Sequence, residues 1–158
     1  MHILFIGYGK TSRRVAKQLF EQGHQISTIS QSPKTDSFAT HLIQDVHQLD
    51  LTAITPIDWV YVLLSPKQST VEGYQQTYLD SVQPIVAALK QHPVKRIVVV
   101  SSTRVCGQNS GGIVDDETEI HPIDAQGKIL QQMEQAYLKA YLEQCTIIRP
   151  SGIYGASV

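Results

Sequence analysis

The chain has 158 residues, with 13 Lys+Arg against 14 Asp+Glu and a formal net charge of −1, which leaves room for one compact domain and excludes a second of full size. With 42% hydrophobic and 17% charged residues it can bury a core, so disorder is excluded as well. The charge balance lacks the basic excess that nucleic acid or an anionic membrane surface demands, and neither partner is expected.

In chain order, the first apolar run, residues 3–6, reads as a strand and leads straight into Gly7-Tyr8-Gly9-Lys10-Thr11-Ser12. Val15, Ala16, Leu19 and Phe20 then recur at helical spacing up to Gly23, a helix stop. Residues 25–29 read as a second strand, and Leu42 with Ile43 as an edge strand in a weaker segment. Residues 60–64 form the next strand. Leu79, Val82, Ile85, Val86 and Leu89 then make the apolar face of a helix over residues 78–90, in which Pro84 marks a kink or the true start. Residues 97–100 return to strand, and residues 107–122, rich in Gly, Asp and Glu, read as a long loop. A last helix over residues 125–142 presents Ile129, Met133, Ala136, Tyr137, Ala140 and Tyr141, before a strand at 146–148. Short continuous apolar runs alternating with longer amphipathic stretches are how a parallel sheet covered on both faces looks in one dimension.

The strand, glycine turn and helix at the amino terminus suit a dinucleotide. Its pyrophosphate must come within hydrogen-bonding distance of backbone N–H groups at a helix N-terminus, an approach that a Cβ would block. Gly7 and Gly9 supply the first two glycines of G-x-G-x-x-G, and Ser12, a small residue, stands where the third would serve helix–strand packing. Tyr8, Lys10, Thr11 and Ser12 join the two glycines as candidate cofactor contacts. The competing readings are a plain tight turn and a phosphate loop ending in Gly9-Lys10-Thr11, but the leading glycine of that loop would fall on Leu4. The carboxylate that grips a ribose 2′-hydroxyl is missing after the second strand, where Ser30, Gln31, Ser32 and Lys34 stand instead. Hydroxyls and a cation suit a 2′-phosphate better, so NADP is favoured over NAD, with an ordinary polar turn as the rival. Arg13 or Arg14 either reaches that phosphate or is a surface charge. Asp45 either accepts from an adenine amino group or caps the next helical turn.

Together with Leu63-Leu64-Ser65-Pro66, Val98-Val99-Val100-Ser101-Ser102, Val105-Cys106-Gly107 and Arg149-Pro150-Ser151-Gly152-Ile153-Tyr154-Gly155, these motifs resemble the extended short-chain dehydrogenase/reductase family, in an atypical form close to its NAD(P)-dependent epimerases and dehydratases. The resemblance covers almost the whole chain. It implies an α/β fold, a Rossmann-like doubly wound, mostly parallel sheet, with residues 1–158 as a single dinucleotide-binding domain lacking the family's C-terminal substrate region. It also adds Leu64 and Ser65 to the cofactor contacts and places the family's catalytic serine on Ser102, three residues before Val105. The family's R-P-x-x-x-Y-G loop, which passes near the nicotinamide, falls on residues 149–155.

The chemistry of that family rests on a tyrosine and a lysine four residues later on one helix face. The lysine cation lowers the tyrosine pKa so that the phenolate can take a substrate proton. Those positions fall here on Gln126 and Leu130, and no tyrosine in the chain is followed by lysine at that spacing. Tyr137 and Tyr141 lie about 16 to 22 Å further along the helix, beyond reach of proton transfer. Ser102 is therefore the one catalytic candidate.

The expected function is that of an NAD(P)-binding protein resembling epimerase/dehydratase-type oxidoreductases, with a catalytically silent sensor or assembly module as the alternative. The substrate is left open as a small molecule.

The six histidines make no metal spacing, and none is assigned to a metal. Asp115-Asp116-Glu117 with Glu119 reads as a solvated acidic turn. Cys106 and Cys145 form neither a C-x-x-C nor a metal pair, which suits a reducing cytoplasm, and Cys106 reads as a small buried side chain. No run approaches the roughly 18 apolar residues of a membrane span. A homodimer is expected through the two long helices, with Tyr137 and Tyr141 as exposed apolar positions on its seam.

Overall fold

The computed structural model describes residues 1–106, 122 and 124–150. Six strands form one sheet: β1 (His2–Ile6), β2 (Gln25–Ser30), β3 (Ala39–Ile43), β4 (Trp59–Val62), β5 (Arg96–Val100) and β6 (Cys145–Ile148). Their order is β3-β2-β1-β4-β5-β6 and every neighbouring pair is parallel, so the sheet expected to be mostly parallel is wholly so among the described residues. This is the doubly wound α/β arrangement.

All five residues of β1 are buried because both faces of the sheet are covered there. Leu4 and Ile6 join Val60, Val62, Ile97 and Val99 in one core layer, while Ile3 and Phe5 join Ile26 in the other. That alternation is the period of two that a pleated strand imposes. On the second layer lies α1 (Lys10–Glu21), which brings down Val15, Ala16 and Leu19. It ends as the sequence reading expects: Gly23 has φ +95°, its N–H donates to Phe20 O at 2.9 Å, and His24 N–H donates to Leu19 O at 3.1 Å. A residue with a Cβ would be strained at that φ. Leu42 and Ile43 close β3 at the sheet edge, where Ile43 is exposed.

The single helix expected over residues 78–90 is in fact divided. A short α2 (Val71–Tyr74) runs into a π-helical turn, Gln75–Leu79, and α3 (Val82–Leu89) starts afresh after Ser81. Pro84 is the third residue of α3, within the first turn, where a missing N–H breaks no intrahelical bond; it marks the start of the helix rather than a kink. Helix α4 (Ala125–Tyr141) holds close to its expected bounds.

Tyr137 requires a correction. Expected on an exposed seam, it is wholly buried against the first core layer, with Leu130 and Met133 on the same face of α4. Tyr141 packs half-buried beside that layer, and the exposed apolar residues at this end are Leu138 and Leu142. Burial pushes the Tyr137 hydroxyl pKa far up, and that hydroxyl has no hydrogen-bond partner among the described residues.

Candidate functional site

Strand β1 lies between β2 and β4, so the chain leaves the sheet centre in opposite directions and opens a crevice at the carboxyl ends of the strands. A cleft of about 690 Å³ occupies that place, walled by the segments that follow β1, β2, β3 and β4 and by α2 with its π-helical turn.

Its floor is the glycine turn. Gly7 has φ +92°, its N–H donates to Ile29 O at 2.9 Å, and a Cβ there would clash with Leu63 O, so the chain just after β4 can approach only a glycine. Gly9 is different. It caps α1 with no side-chain hydrogen bond, and a Cβ added to it would meet nothing within 4 Å. The N–H groups of the first turn, at Lys10, Thr11 and Ser12, have no intrahelical acceptor, and no acidic side chain stands in that turn to neutralise the positive end of the helix. Ser12 Oγ is buried with no hydrogen-bond partner among the described residues. An uncapped helix start beside open space fits a pyrophosphate by charge, by donor supply and by room.

Of the other residues of that turn, Tyr8 lines the cleft with its hydroxyl engaged elsewhere: it donates to Asp36 Oδ2 at 2.9 Å, while Arg13 Nε donates to Asp36 Oδ1 at 2.8 Å. Burial, then the Asp36 carboxylate, raise the Tyr8 pKa far above its ordinary value. Burial also pushes Asp36 upward, but the hydrogen bonds from Arg13 and Tyr8 outweigh it and hold the carboxyl below its usual range. Arg13, weighed above as a phosphate contact, is thus spent on Asp36. Lys10, Thr11 and Ser12 lie at the helix start and do not line the cleft with their side chains.

After β2, Ser30, Gln31 and Lys34 line the cleft and Ser32 does not; Ser32 O instead accepts from Ser30 Oγ at 2.8 Å, which shapes the turn. Lys34 has no ion pair among the described residues. After β3, Asp45 does cap a 3-10 turn, Val46–Gln48, and also lines the cleft. Its Oδ1 accepts from His47 N at 2.9 Å and from His47 Nδ1 at 2.8 Å, and His47 Nε2 donates to Gln76 O at 2.7 Å. The hydrogen bonds from His47 keep the Asp45 carboxyl below its ordinary pKa.

After β4, Leu64 and Ser65 line the cleft, joined by Lys67, Gln68, Thr70, Gly73 and Gln76, which sequence reasoning missed. Thr70 Oγ1 accepts from Gly73 N at 3.0 Å as the cap of α2, and a polar run ending in a threonine before a helix was the available signal. Nothing in the composition marks the π-helical turn that supplies Gln76.

The opposite end of the sheet is built otherwise. Ser102 follows β5, accepts from Arg104 N at 3.2 Å in a 3-10 turn, Thr103–Cys106, and is not part of the cleft wall. Gln126 Nε2 donates to Ser69 O at 3.3 Å, and Leu130, one turn further on, is 1% exposed in the core. Another turn on, Glu134 is 1% exposed and takes a bidentate pair from Arg149, with Nη2 to Oε1 at 2.6 Å and Nε to Oε2 at 3.0 Å. Arg104 bonds Asp124 Oδ2 at 3.1 Å and Tyr74 OH at 3.0 Å. Cys106 is buried. The acidic turn at residues 115–119 and the part of the R-P-x-x-x-Y-G loop at residues 151–155 lie outside the described residues.

The family model described as NAD(P)H-binding matches residues 7–155. Protein YeeZ of Escherichia coli (strain K12) is 28% identical over 106 residues, which cover 67% of this chain and 38% of YeeZ. UDP-glucuronic acid 4-epimerase from Bacillus cereus, solved in complex with NAD, superposes with a TM-score of 0.82 at 18% identity, covering 98% of this chain and 58% of that one. A Methylobacillus flagellatus protein classed as an NAD-dependent epimerase/dehydratase superposes with a TM-score of 0.80 at 29% identity, over 98% of this chain and 55% of that one. The chain therefore spans well under half the length of the curated relative and somewhat over half of these structural neighbours. Among the described residues no helix is long and apolar enough to cross a membrane.

Proposed function

We propose that this chain, which belongs to the NAD(P)H-binding family, acts as the dinucleotide-holding domain of an epimerase/dehydratase-like protein, with residues 1–158 as one such domain. The observation that carries this is the uncapped start of α1 beside Gly9, opening on the cleft at the switch point of the sheet. In this reading the N–H groups of Lys10, Thr11 and Ser12 take the pyrophosphate. Gly7, Tyr8, Leu64 and Ser65 form the bed, Ser30, Gln31 and Lys34 face the ribose end with Ser32 shaping their turn, and Asp45 takes the adenine. Lys34, unpaired at the cleft wall, favours a 2′-phosphate and hence NADP over NAD. When bound, the nicotinamide would supply hydride exchange, and Ser102 is the candidate for holding a substrate oxygen.

Fluorescence titration with NADPH and NADH tests this directly: saturable binding, tighter for NADPH, is expected. Binding of neither would overturn the proposal. A second reading, a silent dinucleotide-binding module, is supported by Gln126 and Leu130, since the first is tied to Ser69 and the second is packed in the core where the family's base and its cation belong. Binding without turnover over a panel of nucleotide sugars and small carbonyl compounds decides for that reading; turnover lost in Ser102→Ala decides against it.

A further inference from the structure

The two ring nitrogens of His47 face only acceptors. Nδ1 lies 2.8 Å from the Asp45 carboxylate and Nε2 lies 2.7 Å from the Gln76 carbonyl. A neutral imidazole carries one N–H and can make one of these bonds, whereas the imidazolium makes both. No other histidine among the described residues is held this way. His92 Nδ1 accepts from Ile57 N, and the rings of His2 and His41 each have a serine or threonine hydroxyl beside one nitrogen, so these three are satisfied by the neutral form.

The position matters because His47 joins two walls of the cleft. Asp45 belongs to the segment after β3, and Gln76 to the π-helical turn, 29 residues further along the chain from His47. His47 also occupies one carboxylate oxygen of Asp45 twice, through its own N–H and through its ring, which leaves Oδ2 with no partner among the described residues. We propose that the His47 imidazolium is a proton-operated clasp that orients the Asp45 carboxylate toward the dinucleotide and ties the β3 side of the cleft to Gln76, so that losing one ring proton loosens the grip on the ligand.

The charges around the ring agree with this assignment. Asp45 and Asp80 both favour the cation, Glu72 adds a carboxylate to the same cleft, and Asp50 stands beyond the turn. Lys67, which also lines the cleft, acts on Asp45 as a nearby cation. The bond to the Gln76 carbonyl and then the bond to Asp45 raise the His47 pKa. With the pKa raised in this direction, the cation prevails in acid, and the clasp opens as pH rises through that value.

The clasp rests on the proposed dinucleotide binding, and the experiment separates the failure of one from the failure of the other. Dissociation constants for NADH and NADPH are measured by fluorescence from pH 6 to pH 9, with wild-type protein and with His47→Gln. NADH is included because it has no 2′-phosphate to titrate. For wild type the NADH constant is expected to weaken about five- to tenfold across the range, on the scale of one partly exposed charge-assisted hydrogen bond. His47→Gln is expected to bind at every pH about as weakly as wild type does at pH 9. Proton NMR of wild type follows the ring signal lost in the variant, and its midpoint should rise when NADH is added, as linkage requires of a ligand that prefers the protonated form. A flat wild-type profile, a slope retained in His47→Gln, or a midpoint that falls on binding overturns the clasp while leaving dinucleotide binding intact. Absence of binding to either nucleotide at every pH overturns both.

Discussion

The two halves of the sheet end in opposite ways. Where β1 and β2 stop, the chain leaves backbone donors uncapped and a glycine facing open space, so groups stay available for a ligand. Beyond β5 and along α4, several polar side chains are spent on other groups of the chain: Gln126 on Ser69 O, Arg104 on Asp124 and Tyr74, Glu134 on Arg149. Surface is kept open in the first half, while in the second Gln126 is committed to a hydrogen bond and Leu130 to the core. The difference teaches that holding a dinucleotide and reacting it make separate demands on one fold, and that this chain meets the first far more visibly than the second.

The largest expected effect lies in the committed half. Glu134→Ala leaves the Arg149 guanidinium without its bidentate partner beneath α4, a loss that costs about 3–5 kcal/mol when one member of a buried pair is removed. Urea denaturation followed by far-ultraviolet circular dichroism measures it. A loss below about 1 kcal/mol would mean that the pair behaves as a surface contact and that this half is less committed than its geometry implies. The open half should respond in the reverse manner. Gly9→Val adds a branched side chain where nothing stands within 4 Å, so stability should change by less than about 1 kcal/mol, while NADPH binding weakens at least about tenfold, or 1.4 kcal/mol, because the cradle is filled. Equal damage to stability and binding would erase the contrast between the halves.

Legibility follows the same division. The β1 turn and the start of α1 could be read because their signal is local: two glycines one residue apart, Gly7 and Gly9, between a strand and a helix dictate backbone geometry without outside help. The parallel sheet was readable from short apolar runs, which became strands within one or two residues except β3, which starts three residues before Leu42. The pairing of Glu134 with Arg149 was hidden because the partners meet only after β6 is laid beside β5, and a lone glutamate on an amphipathic helix gives no sign of burial. Tyr137 was misjudged for a related reason. Its spacing with Leu130 and Met133 marks an apolar face, but only the sheet beneath decides whether that face is core or seam. Asp45 was read as either a cap or an adenine contact; the structure shows the cap, and His47 as its partner was not foreseen. The π-helical turn carrying Gln76 has no pattern of its own, so the far wall of the cleft stayed out of sight.

The smallest effect expected sharpens the comparison within the open half itself, where Asp36 holds the turn residue Tyr8 and the α1 residue Arg13 together. Asp36→Asn keeps the shape and removes the charge. Because the hydrogen bonds from Arg13 and Tyr8 hold the folded carboxyl below its unfolded pKa, its contribution is fully present above the unfolded value near 4 and is lost as pH falls through the folded value. Wild type should therefore have a slightly higher urea midpoint than the variant at pH 7, and the two should converge in acid. The gap should be smaller than the loss in Glu134→Ala, since Arg13 is half exposed and solvent screens the pair. A gap that widens in acid would show the opposite sign and would mean that the glycine turn is held by packing alone, with Asp36 as a bystander to the open half.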